Sequence, residues 1–291
     1  MTSSTLEITP RTLSRGAVSN AEHPIPLTFY LGTHQPGWLN TATVALFISD
    51  RRLRGYRQLP RARTAWALDS GGFTELATHG SWDYGPSPAR YIGHIRRYRD
   101  QIGHLAWAAP QDWMCEPWIL AKTGLTVTDH QRRTIANYLQ LRHLDAELPI
   151  VPVVQGSTPE DYLRCADMYA AAGIDLTQAP LVGVGSICRR QATTGTGSIL
   201  TRLHQHGITG LHGFGVKTLG LRRYHHLLAS ADSMAWSVAA RRQPALPGCR
   251  GHLNCANCPR YAHQWRNQLL ADLTTAPAQT ALFDPAGGQA R

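Results

Sequence analysis

Short apolar runs recur along this chain, and each closes on glycine or on a polar residue. The sharpest is Ala65-Trp66-Ala67-Leu68, which passes directly into Asp69-Ser70-Gly71-Gly72-Phe73. An apolar run without alternation reads as a strand covered on both faces, as in parallel sheets. Such a strand delivers a carboxylate, a hydroxyl and two glycines to one strand end. Gly71 and Gly72 carry no Cβ, so they permit positive φ and the close approach of a flat ligand. In parallel α/β proteins, ligands bind at the carboxyl ends of the strands. Alone, the segment serves equally as a strand closed by a turn with Asp69 as its cap. Its weight comes from repetition.

The repeats fall in order. Leu27–Leu31 ends in Gly32-Thr33-His34, and Val44–Ser49 follows through a short loop at Pro36-Gly37-Trp38. Ala65–Leu68 is third. Leu105–Ala109 ends in Pro110-Gln111-Asp112, and Ile150–Val154 ends in Gln155-Gly156. Leu181–Ser186, Leu211–Lys217 and Ala231–Ser237 complete eight strand candidates. Helices are expected between most of them. One starts at Ser87-Pro88 with Tyr91, Ile92, Ile95 and Tyr98 at helical spacing. Others cover about 129–144, 189–205 and 219–229, and Thr158 caps a further one with Pro159 at its first position. Strands alternating with helices predict an α/β fold, a (β/α)8 TIM-like barrel. The first strand pair departs from strict alternation. Arg51, Arg52, Arg54 and Arg57 form a basic cluster near a strand end, either a solvated helix face or a phosphate contact. The expected organisation is a flexible arm over 1–24, a barrel over 25–272 and a disordered tail over 273–291.

Lys+Arg 29 against Asp+Glu 19 leaves a formal charge of +10, which points to a polyanionic partner such as nucleic acid. No apolar run approaches the roughly 18 residues of a membrane span, and no basic amphipathic helix suggests a membrane surface. The opening Met1-Thr2-Ser3-Ser4-Thr5 has no charged stretch followed by an apolar one, so a cytoplasmic protein is expected. Of the six cysteines, Cys115, Cys165 and Cys188 are scattered, whereas Cys249, Cys255 and Cys258 cluster. With His252 they form Cys-x2-His-x2-Cys-x2-Cys. Thiolates and imidazole at that spacing suit a structural Zn²⁺ more than an iron–sulfur cluster. The result is a small zinc-binding insertion near the C-terminus, within 249–263.

In a barrel, Asp69, Asp112, Gln155, Gly185 and Asp232 converge on one face. Each has an ordinary explanation, since an aspartate at a strand end commonly caps or pairs. Together they suit one ligand. A carboxylate accepts from paired N–H donors, while a glutamine amide and a glycine N–H donate to a carbonyl oxygen. That set complements the Watson–Crick edge of guanine.

Asp69-Ser70-Gly71-Gly72-Phe73, then Asp112, Val154-Gln155-Gly156, Gly185 and Asp232 before the cysteine cluster, resemble the tRNA-guanine transglycosylases. The resemblance runs in order from about Leu27 to Cys258, on short motifs of which Asp-Ser-Gly-Gly-Phe is the most specific. That family implies a barrel enzyme with a zinc site that exchanges guanine for a 7-deazaguanine base. Carried across, Asp232 is the nucleophile that holds the sugar as a covalent ester, and Asp69 is the general base. Asp112 reads N1 and the exocyclic amine, and Gln155 with the Gly185 amide reads O6. Ser70, Gly72, Phe73 and Lys217 complete the substrate-binding set. The resemblance also offers His263 as an alternative fourth metal ligand, because the tRNA enzymes take their histidine after the cysteines.

The sequence departs from the tRNA enzymes around Asp232, after Asp112 and at its opening Tyr30-Leu31-Gly32-Thr33-His34. These features are more similar to the Dpd-type transglycosylases, which insert 7-deazaguanine bases into DNA. The expectation is therefore an enzyme acting on DNA, with a free 7-deazaguanine base or guanine as its other substrate. The same exchange on tRNA is the nearest alternative. A non-catalytic nucleic-acid-binding subunit is less expected, because it would need neither Asp69 nor Asp232. An unrelated barrel acting on a phosphorylated metabolite is a further alternative. A homodimer is compatible with the sequence.

Overall fold

The computed structural model describes residues 27–190 and 192–275. The expected arm over 1–24 lies outside the described residues, as does the expected tail from 276 onward. Residues 273–275 continue a helix, Pro259–Thr275.

Eight parallel strands form one sheet. They are β1 (Thr28–Gly32), β2 (Leu46–Ser49), β3 (Trp66–Asp69), β4 (Leu105–Ala108), β5 (Val153–Val154), β6 (Val182–Val184), β7 (Leu211–Gly213) and β8 (Ser230–Ser233). Their order is β4-β3-β2-β1-β8-β7-β6-β5. The sheet curls into a TIM-like half barrel whose edges, β4 and β5, meet at one parallel bridge between Ala108 and Ile150. There the Ala108 N–H donates to the Pro149 oxygen and the Val151 N–H donates to the Ala108 oxygen. The closed barrel is thus replaced by a seam. Pro149 and Pro152 flank the crossing, and proline has no N–H to extend a ladder.

The sheet's alternation explains where its side chains point. Tyr30, Ala67, Trp107, Ala109 and Val151 form a small core inside the curl, with Phe47 and Phe214 packed on it. Leu31, Ile48, Leu68, Val184, Leu211 and Ala231 face outward into the larger core beneath the helices. Asp69 shares a face with Ala67, two residues away, so its carboxylate points inward at the strand end. Asp232 lies one residue beyond outward-facing Ala231 and does the same.

The helix Pro88–Gln101 starts where expected, with Ser87 Oγ accepting from the Arg90 N–H. Thr158 and Asp161 form a reciprocal capping box before Pro159–Ala171. Thr126 and Asp129 do the same before Val127–Leu144, which starts two residues earlier than the spacing predicts. The eighth strand is shorter than expected, because a helix, Ala235–Ala240, begins soon after Asp232. Among the described residues, no helix is long and apolar enough to cross a membrane.

Candidate active site and metal centre

Two adjoining cavities open at the carboxyl ends of the strands. The inner one, about 190 Å³, is walled by Asp69, Asp112, Glu116, Gly185, Ser186 and Asp232 with several apolar neighbours. The outer one, about 690 Å³, shares Asp69, Phe73 and Asp232 and adds His34, Arg52, Lys217 and Arg241. The floor is therefore acidic and the rim basic. A negative floor suits a reacting centre that develops positive charge, and a positive rim suits phosphate.

Burial pushes the Asp69 carboxyl up to about 6. The Gly71 N–H and the Ser49 hydroxyl pull it back in part, and the Asp232 and Asp50 charges push it further up. Asp112 is pushed up to about 7, first by burial and then by the Asp69 charge. A backbone hydrogen bond and the Gln155 amide oppose that rise, while Glu116 adds to it. Near neutral pH both groups can give or take a proton. Cys188, also on the wall, is pushed up to about 11 by burial and by Glu116, so it stays a thiol.

Asp112 sits on a turn fixed from several sides. The Gln111 N–H donates to Asn137 Oδ1 at 2.9 Å, and Gln111 Nε2 donates to the Pro86 oxygen at 2.7 Å. Trp82 Nε1 donates to the Asp112 oxygen at 3.1 Å. A Cβ on Gly72 would lie 3.0 Å from Asp112 Oδ1, so glycine there makes room for the carboxylate. Gly71 does take positive φ, at 87°.

Asp232 Oδ1 accepts from the Gly215 N–H at 2.8 Å and lies 3.4 Å from His212 Nε2. His212 is fully buried on β7, with Trp107 and Phe214 ring centroids 4.6 and 4.7 Å away. Its Nδ1 bonds the Ser230 hydroxyl at 2.8 Å. One carboxylate oxygen of Asp232 is thereby engaged from the core side, and the carboxylate's other edge is left toward the cavity.

The structure sorts the expected site residues. Asp69, Phe73, Asp112, Gly185, Lys217 and Asp232 line the two cavities. Ser70, Gly72 and Gln155 stand behind the wall, with Ser70 and Gln155 almost wholly buried. Gln155 Nε2 donates to Asp112 Oδ2, and its Oε1 accepts from Ser186 Oγ at 2.6 Å. In this arrangement Gln155 orients Asp112. The Gly185 N–H, expected to face a ligand, donates to the Val154 oxygen within the sheet. What glycine supplies at 185 is space, since a Cβ would come 2.2 Å from Gln155 Nε2.

Several residues were not singled out in the sequence. Ser186 ties the Cys115 N–H, Gln155 and buried Glu116 together across some 70 residues of chain. No local pattern marks such a link. Of the basic cluster, Arg51 and Arg54 pair with buried Glu75, and Arg54 also approaches Asp50. Arg52 reaches the outer cavity, and it also lines a neighbouring cleft with Arg57 and Tyr56.

Beyond the helix Ala235–Ala240, the ligand atoms of Cys249, His252, Cys255 and Cys258 all lie within 4.8 Å of one another. The Cys249 and Cys258 sulfurs are 3.9 Å apart, and His252 Nε2 is 3.4 Å from the Cys255 sulfur. Tetrahedral zinc, with bonds of about 2.3 Å to sulfur and about 2.0 Å to nitrogen, has edges of about 3.8 and 3.5 Å. The four residues fit a metal ion such as zinc, and His263 is not part of the group. The loop docks on the site's own framework. Ser237 Oγ donates to the Ala256 oxygen at 2.8 Å, and Trp236 Nε1 donates to the Gly32 oxygen at 2.9 Å.

A family model described as DpdA, DeoxyPurine in DNA protein A, matches residues 25–285. The chain belongs to the DpdA family. Membership implies a transglycosylase-type enzyme of DNA modification, concerned with 7-deazaguanine bases and acting on DNA. The match extends through the sheet, the two carboxyl-end cavities and the cysteine loop, so the site described above lies wholly within it. No curated protein matches the chain.

Proposed function

We propose that this protein exchanges guanine in DNA for a 7-deazaguanine base through a covalent Asp232–deoxyribose ester. The observation that carries the reading is the meeting of Asp69, Asp112 and Asp232 in one small cavity at the strand ends. Asp232 attacks C1′ of the target deoxyguanosine as the bond from C1′ to N9 breaks. Asp69, in its acid form, gives a proton to the departing guanine. It then takes the N9 proton of the incoming base, which attacks C1′ and releases Asp232. One carboxyl serves both directions because burial holds it near 6.

Asp112 in its carboxylate form accepts from N1–H and the exocyclic amine of the base, and Gln155 holds it in place. Phe73 and Lys217 contact the nucleic acid from the rim. Zinc in the cysteine loop would have a structural role, because four protein ligands leave no open position. What it would hold in place is the loop that braces Ser237, just beyond Asp232.

The test is incorporation of labelled guanine, and then of a labelled 7-deazaguanine precursor, into duplex DNA, single-stranded DNA and bulk tRNA. Label entering DNA, and lost in Asp232→Ala, is the expected result. Label entering tRNA alone would overturn the choice of DNA. Incorporation of neither base into any polymer would overturn the exchange itself.

A further inference from the structure

A histidine buried among aromatic rings is costly unless its ring nitrogens find partners. His212 is wholly buried inside the curl, with the rings of Tyr30, Phe47, Trp107 and Phe214 around it at centroid distances of 6.1, 5.8, 4.6 and 4.7 Å. An apolar side chain would fill that space without a polar cost, so packing alone does not account for an imidazole. The strand register shows what the imidazole meets. His212 pairs with Ser230 across β7 and β8, and Ser230 and Asp232, two residues apart, share one face of β8. The ring therefore stands between a hydroxyl and the Asp232 carboxylate. Its Nδ1 lies 2.8 Å from Ser230 Oγ, and its Nε2 lies 3.4 Å from Asp232 Oδ1. Among the described residues Nε2 makes no other hydrogen bond.

A hydroxyl can donate or accept, so Ser230 suits Nδ1 in either form, whereas a carboxylate only accepts. A proton therefore belongs on Nε2, since a bare Nε2 would set two acceptors face to face. The 3.4 Å separation is long for this bond, as such contacts often are before substrate is bound. Oδ1 then has two donors, Nε2–H and the Gly215 N–H at 2.8 Å. Neither His212 nor Ser230 lines the two carboxyl-end cavities, so the pair acts on Asp232 from behind.

We propose that His212 is a positioning residue for Asp232: it holds Oδ1, leaves Oδ2 to attack, and eases release of the carboxylate from the ester. The inference rests on the exchange proposed above, and adds what sets the lifetime of its covalent intermediate. In the first half, an Oδ2 electron pair bonds C1′, the C1′–N9 pair leaves with guanine, and Asp69 gives that base its proton. In the second half, the N9 pair of the incoming base bonds C1′, the N9 proton passes to Asp69, and the C1′–Oδ2 pair returns to Asp232. Carboxylate charge is spent in the first half and restored in the second. Donors fixed on Oδ1 stabilise the returning charge, as donors at an oxyanion do. They favour the free carboxylate over the ester, so losing one slows release more than attack.

The experiment compares His212→Gln and His212→Asn with wild type by rapid quench of exchange on duplex DNA, with incoming base in excess. It reads the rate and the fraction of protein held as DNA adduct at steady state. The glutamine amide can reach the place of Nε2 beside Asp232, whereas the asparagine amide reaches only that of Nδ1 beside Ser230. His212→Asn is expected to lose about tenfold in rate and to hold about threefold more adduct than wild type. His212→Gln is expected to stay within about threefold of the wild-type rate, with a wild-type adduct fraction. If His212→Asn does not fold, His212→Phe, which fills the ring's space without a donor, takes its place. Equal rates and adduct fractions in the two variants, or a lower rate with no rise in adduct, would overturn the inference while leaving exchange intact. No exchange by wild type would overturn the exchange activity and this inference with it.

Discussion

Both ends of the sheet hold cavities, and among the described residues the largest has a single carboxyl, Asp175, in its wall. At the amino ends of the strands, about 810 Å³ is walled by Tyr30, Trp107, Tyr138, Arg142, Ile150 and their neighbours. That space lies where the sheet edges meet near Pro149 and Pro152, and Arg142 there is occupied by the Leu148 oxygen at 3.0 Å. The inner cavity at the carboxyl ends is less than a quarter of that volume, yet three carboxyls meet in it. The difference follows from strand geometry. Inward-facing residues in mid-strand, such as Tyr30 and Trp107, mostly fill the curl with apolar bulk, whereas inward-facing residues at the carboxyl ends have loops beyond them and can stay polar. Volume marks where packing is incomplete. Converging ionisable groups mark chemistry.

That contrast can be attacked from the largest expected effect to the smallest. Replacing Asp69 by Asn removes the proton carrier while keeping its shape. Single-turnover exchange is expected to fall by roughly 10²–10⁴-fold, the usual contribution of a general acid–base group. A loss under threefold would separate Asp69 from the chemistry.

Next comes the metal loop. Cys258→Ser, or removal of metal by a chelator, is expected to lower the thermal midpoint and cut exchange by about tenfold or more, since ligand loss unties the segment bracing Ser237. Retained activity with an unchanged midpoint would show that the loop stands apart from the site.

Asp112→Asn is expected to weaken base binding by about tenfold, because it leaves a donor facing N–H groups. It should also move the pH profile. Asp112 must be ionised to accept from the base, and Asp69 must hold its proton for the first step. The kcat/KM of wild type is therefore bell-shaped, rising as Asp112 ionises near about 7 and limited at higher pH by loss of the Asp69 proton, held near about 6. Asp112→Asn removes the group that ionises near about 7, so the rising limb should disappear while the loss of activity with the Asp69 proton remains. Stability also depends on these two groups. Both folded pKa values lie above the ordinary carboxylate value of about 4, so the folded state holds extra protons between there and about 7. That stabilising contribution is complete below about 4 and is lost as pH rises through 6 to 7. Thermal midpoints of Asp112→Asn should therefore change less than wild type over that range. Identical pH profiles in the two proteins would contradict the coupling.

The smallest effect is expected at the opposite end. Arg142→Ala should leave exchange within about twofold of wild type, whatever it does to the thermal midpoint. A large loss of activity at constant stability would make the amino-end cavity a functional site and would overturn the comparison.

Much of this was legible in the sequence, for identifiable reasons. The eight apolar runs were visible because strands covered on both faces are mostly apolar. Asp69 and Asp112 were visible because each stands at or just past the end of such a run, and Asp232 was visible through the family resemblance. The cysteine loop was visible because its ligands are local. Hidden were the features set by register and by long-range contact. The Gly185 N–H faces Val154 because β6 pairs with β5, and Gln155 faces Asp112 because Gly185 leaves it room. Ser70 has the composition of a ligand contact but is almost wholly buried and lines neither cavity. The seam at Ile150 was written in Pro149 and Pro152, whose missing donors are a local property with a distant consequence.

The most direct test of the account is to find where the DNA becomes attached. Wild-type protein would be quenched during exchange with duplex DNA, then digested and mapped by mass spectrometry. The account predicts a deoxyribose-bearing adduct on the peptide containing Asp232, absent from Asp232→Asn. An adduct on Asp69 or Asp112, or exchange that persists at the wild-type rate in Asp232→Asn, would contradict it.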